Sequence, residues 1–164
     1  MSSDTFAVSS FLLLNALGLA ISNLLYDHGV PGRLSRRAAP ILSGVGYLTA
    51  VLWLDVWTAV MWSGLLALGV LAVRLGFRQG LRGVTRTASA NDWAEVAYPM
   101  AATASLAIGW GLLGDKWLGL APIAFMAWGD SIAGTVRGIS VSRRVDIHII
   151  WPSIAMLTVC LTAA

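Results

Sequence analysis

The sequence predicts an all-α, polytopic integral membrane protein, a bundle of about six transmembrane helices forming a single domain, 1–164. Three observations predict it. Hydrophobic residues make up 57% of the chain and charged residues only 12%, a balance too apolar for a soluble domain. The apolar residues gather in stretches suited to a hydrocarbon core of about 30 Å, which takes roughly 20 residues per helix. The alternating apolar and polar pattern of membrane barrels is missing, which leaves helices, whose backbone hydrogen bonds close within each span.

The spans follow in order. The first, 5–26, is read as a true span, because the residues from Met1 to Phe6 hold none of the basic side chains of a cleavable leader. The second and third, 39–54 and 56–75, are separated by Asp55 alone and form a tight hairpin. The fourth and fifth, 96–114 and 117–136, are divided by Gly114-Asp115-Lys116, and the sixth covers 147–163. The lone cysteine, Cys160, excludes an intramolecular disulfide and has apolar neighbours that suit packing. Trp57, Trp93, Trp117 and Trp151 stand near span ends, where interfacial anchoring explains them.

Charge placement orients the bundle. Arg33, Arg36 and Arg37 lie between spans one and two; Arg74, Arg78, Arg82 and Arg86 lie at or after the end of span three. Arg137, Arg143 and Arg144 lie between spans five and six, whereas Lys116 falls on the opposite side. The positive-inside bias therefore puts the three basic loops in the cytoplasm and both termini outside. The loop 77–92 either lies on anionic headgroups or lends some of its arginines to phosphate.

Ionisable residues inside a span mark functional sites when a partner can be named. Asp130, in AWGDSIAGTVRG, lies about six residues from the cytoplasmic end of span five, roughly 9 Å below that boundary. Gly129 and Gly134 leave room beside it, Ser131 adds a hydroxyl, and Arg137 falls on roughly the same helix face. A carboxylate with a guanidinium above it suits a metal ion and a phosphate chain; the alternative is pairing with an arginine of a neighbouring helix.

Glu95 and Asp92, in NDWAEVAYPM, lie on one side of a helix start, where negative charge is favoured. Asn91 or Asp92 is expected to cap span four. Glu95 lies deeper and is expected to face Asp130 across a polar cavity. Arg36 and Arg37 precede span two, with Pro40 near its first turn; Arg143 and Arg144 precede Asp146 and His148 at the start of span six. Both arginine pairs also fit a plain topology signal. Phosphate-binding GxxxxGK[ST], nucleophile GxSxG and metal-spaced Cys/His patterns do not occur.

Together these elements resemble the CTP-dependent polyprenol kinase family, which includes dolichol kinase, phytol kinase and the CTP-dependent diacylglycerol kinase of fungi. The similarity runs from Leu34 to Met156. It rests on AWGDSIAGTVRG, on EVAYP (Glu95 to Pro99), on LSRR with Ser43-Gly44, and on PSIAM (Pro152 to Met156). The chain departs from the family where Pro40 replaces a histidine, Arg37 a lysine, His148 a lysine and Pro152 a glycine.

The resemblance implies transfer of the γ-phosphoryl group of CTP to the hydroxyl of a long-chain isoprenoid alcohol such as phytol, farnesol, geranylgeraniol or dolichol. It implies Mg²⁺ on Asp130, with Glu95 as second ligand or as acceptor of the hydroxyl proton. Ser131, Arg36, Arg37, Arg137, Arg143, Arg144 and His148 are the candidate nucleotide contacts. The partners expected are the bilayer, the alcohol and the nucleotide, with no nucleic-acid polymer. Two other classes stay open: a lipid cytidylyltransferase moving CMP, and a transporter or scaffold without nucleotide chemistry.

Overall fold

A computed structural model describes residues 3–77, 81–84 and 93–134, with the backbone alone for Arg33. The described residues are helical almost throughout and include no strand. Helix α1 covers Ser3–Asp27, α2 Gly32–Trp53 and α3 Val56–Gly76. Helix α4 covers Ala94–Ser105 and continues in π-helical turns over Leu106–Leu112. Helix α5 covers Lys116–Ala124, passes through π-helical turns at Phe125–Gly129 and resumes as α-helix over 130–134. The expected sixth span, 147–163, lies outside the described residues.

The turns explain where the helices stop. After α1 the N–H of Gly29 bonds the Tyr26 carbonyl and that of Val30 the Leu25 carbonyl, both at 3.0 Å. This paired pattern needs a left-handed residue, and Gly29 supplies it with φ of 78°. Asp55 starts α3 by accepting the Thr58 N–H at 3.0 Å. Asp115 starts α5 by accepting the Trp117 N–H at 2.8 Å. Short carboxylates at these positions satisfy N–H groups that have no partner within the helix.

One expectation about a helix start gives way. Helix α2 begins at Gly32, after the extended Pro31, so Arg36 and Arg37 lie inside it and Pro40 sits beyond its first turn. Hydropathy trims such a start because charged side chains lower the mean without breaking backbone bonds. Arg36 in fact folds back on its own helix, its Nε donating to the Gly32 carbonyl at 2.7 Å. The expected caps of α4, Asn91 and Asp92, lie outside the described residues; Trp93 precedes the helix and makes no side-chain cap bond.

Two helices, Ser3–Asp27 and Val56–Gly76, are long and apolar enough to cross a membrane. Only 22% of each apolar window is buried, so these helices turn much of their apolar surface outward. Leu68, Leu75 and Trp57 on α3 are among the large side chains exposed.

The interior joins an apolar core to a set of interhelical hydrogen bonds. Phe11, Tyr47, Leu106 and Ile123 are fully buried in one cluster, with Tyr47 edge-on to Phe11 at 5.1 Å. One face of α2 bonds α1 at successive turns: the Ala39 N–H donates to Ser22 Oγ at 3.1 Å, and Ser43 Oγ donates to Asn15 Oδ1 at 2.6 Å. A turn further on, the Tyr47 hydroxyl meets Ser63 Oγ of α3 at 3.0 Å, and Ser63 meets Thr103 Oγ1 of α4 at 2.7 Å. Helices α4 and α5 close through Ser105 Oγ, which donates to the Gly119 carbonyl at 2.8 Å. Small and hydroxyl side chains of this kind hold helices together where lipid supplies no hydrophobic drive.

Candidate functional site

The charged side chains collect where α1 ends, α2 begins, α3 ends, α4 begins and α5 ends. Three ion pairs lie there: Arg37 with Asp130, Arg74 with Glu95, and Arg82 with Asp27 at 2.6 Å. Asp55, Asp115 and Lys116 sit at the opposite helix ends.

Asp130 reaches this place through the geometry of α5. Pro122 lacks an N–H, and the π-helical turns Phe125–Gly129 follow it and lead directly to Asp130. Such turns insert one extra residue per turn and re-aim what comes next, which is why they gather at functional sites. Helix α2 runs antiparallel alongside, held by Trp128 Nε1 donating to the Ile41 carbonyl at 3.2 Å. Arg37 thereby meets Asp130 Oδ2 and donates a second bond to the Asp130 carbonyl at 3.2 Å, which is the pairing with an arginine of a neighbouring helix that the sequence left as the alternative. A Cβ placed on Gly134 would collide with the Arg37 guanidinium, so the missing side chain makes room for that group. The Asp130 side chain is 67% exposed, and Ser131 beside it is fully buried.

Glu95 is differently placed. It is paired with Arg74, and the two side chains are 1% and 4% exposed. The Arg74 guanidinium also stacks on Trp93, 4.6 Å from the ring centre. The expectation that Glu95 faces Asp130 across a polar cavity is replaced by two separate pairs, each acid with its own arginine. The reason is helix pairing: Glu95 opens α4 next to the end of α3, whereas Asp130, in the last described turns of α5, lies next to the start of α2. Arg74 is the residue that sequence reading passed over. It was counted as a loop cation, yet it lies within an apolar run, the same signal that singled out Asp130.

Of the candidate phosphate ligands, Arg37 is at the Asp130 site, while Arg36 is bonded to the Gly32 carbonyl. Arg137, Arg143, Arg144 and His148 lie outside the described residues. Among the described residues no three His, Cys, Asp or Glu cluster as metal ligands. Asp130 alone fits a hard cation that takes one carboxylate and fills its shell from phosphate and water. Both carboxylates are paired with an arginine, but Glu95 does not fit, because its side chain is only 1% exposed.

The described residues are nearly all helical, with two helices among them long and apolar enough to cross a membrane and an exposed Asp130–Arg37 pair. No protein-family model, curated protein or solved structure compared with the chain matches it.

Proposed function

We propose that the chain is a six-span membrane lipid kinase that transfers the γ-phosphoryl group of CTP to the hydroxyl of an isoprenoid alcohol. The observation that carries the reading is that Asp130, although paired with Arg37, keeps a side chain 67% exposed with that cation beside it. The donor and the metal come from the sequence resemblance, and the positive-inside bias puts this end in the cytoplasm with both termini outside.

In this reading Asp130 holds Mg²⁺ together with phosphate oxygens of the nucleotide. The ion, when bound, neutralises charge on the phosphoryl oxygens. Arg37 offers the forked donor geometry that phosphate accepts, and it is already within reach of Asp130. Arg37 would be the group to hold phosphate, and Asp130 would be the group to hold the cation. The outward apolar faces give a long isoprenoid tail a surface at the depth of the acid. We assign Glu95 to the scaffold, where it holds α4 to α3 through Arg74, in place of the metal or proton role.

The test is purified protein in detergent with phytol, farnesol, geranylgeraniol and dolichol, and CTP labelled at either the α or the γ phosphorus. Lipid monophosphate carrying the γ label alone is the expected result. Transfer of the α label identifies a cytidylyltransferase, and a lipid without label rejects both enzymatic readings.

A further inference from the structure

The loop 77–92 was expected either to lie on headgroups or to lend arginines to phosphate, yet its residues 81–84 are built into the bundle. Leu81 is 2% exposed and packs with Val70 of α3 and Val96 of α4, next to the Arg74–Glu95 pair. The other side of the segment is fastened to the α1–α2 hairpin. The Gly83 N–H donates to Asn23 Oδ1 at 2.7 Å, its carbonyl accepts from Ser35 Oγ at 3.3 Å, and Arg82 pairs with Asp27. A Cβ on Gly83 would run into the backbone of Ser22 and Asn23, so only glycine lies this close to α1. The attachment on α2 is Ser35, fully buried and two residues before Arg37.

We propose that residues 81–84 are a brace that locks the first turns of α2 to α1, α3 and α4 and so positions Arg37 beside Asp130. The part concerning nucleotide rests on the kinase reading; the brace itself does not. Buried Leu81 anchors the segment, the two Gly83 bonds transmit its position to α1 and α2, and Arg37 follows Ser35 on the same helix. Gly83 and Ser35 are positioning residues, acting through Arg37.

The brace is tested by cysteine labelling in a Cys160→Ser background, with a water-soluble maleimide on the full chain in detergent. Leu81→Cys should react at least tenfold more slowly than Arg82→Cys, whose native side chain is exposed. Adding Asn23→Ala and Ser35→Ala should bring the Leu81→Cys rate up towards that of Arg82→Cys. Equal rates before that addition overturn the brace. Function is read in the Asn23→Ala/Ser35→Ala protein with its native Cys160. The KM for CTP should rise several-fold with kcat kept, whereas loss of folded protein would lower turnover at unchanged KM. A protected Leu81→Cys with unchanged KM overturns the positioning role. If the parent protein transfers no phosphoryl group, the kinase reading falls, and the labelling alone decides the brace.

Discussion

Asp130 and Glu95 are both carboxylates paired with arginine, yet their surroundings give them opposite roles. At Asp130 the side chain is 67% exposed, and where water reaches such an ion pair it contributes about 0–1 kcal/mol. Asp130→Asn should therefore leave the melting temperature in detergent almost unchanged while abolishing γ-phosphoryl transfer. A large drop in melting temperature with activity per folded molecule retained would make Asp130 a structural partner only. At Glu95 the charges are out of water, and removing one member strands the other. Arg74→Met should cost about 3–5 kcal/mol, and adding Glu95→Leu should recover most of it, because an apolar pair needs no compensation. Thermal unfolding of the single and double variants checks this; a harmless Arg74→Met would contradict the buried pair. Asp130 was legible in the sequence, since a carboxylate in an apolar run is conspicuous. Its partner was not, because Arg37 comes from a helix 93 positions away in the chain.

At the scale of the element, the helices are set by how they begin and end. Asp55 starts α3, and hydrogen bonds from the Thr58 hydroxyl and then from the Thr58 N–H hold its carboxyl below the ordinary value of 3.8. A lowered folded-state pKa contributes stability that is in place above the unfolded value and is lost as pH falls through the folded one. Unfolding followed from pH 5 down to pH 2 should show a decline below about pH 4 that is smaller in Asp55→Ala. Identical pH profiles for the two proteins would mean that the cap does nothing. The sequence located the α2–α3 break at Asp55 and the α4–α5 break at Gly114 because turn chemistry is local. It placed the start of α2 late, since hydropathy measures partition into lipid and not backbone hydrogen bonding. The π-helical turns also escaped it, because a widened turn depends on how α4 and α5 pack as well as on Pro99 and Pro122.

For the whole molecule, the alternation of charge and helix direction makes one end basic and predicts its side of the membrane. With Cys160→Ser as background, Lys116→Cys should react with an impermeant maleimide on intact cells, and Arg82→Cys only after permeabilisation. The reverse pattern would invert the bundle and put the Asp130 site outside. The same end also holds the brace, which ties loop to helices in a way no window of sequence displays.

Composition and charge order by themselves determined that the described chain is helical and apolar, that its helices alternate in direction, and that Asp130 is out of the ordinary. Those properties follow from each residue's own transfer energy and each turn's local bonding. Only the tertiary structure decided that Asp130 belongs with Arg37, that Glu95 belongs with Arg74, and that Gly83 lies against α1. Partner choice depends on which helix faces are brought together in space, and spacing along the chain does not contain that information.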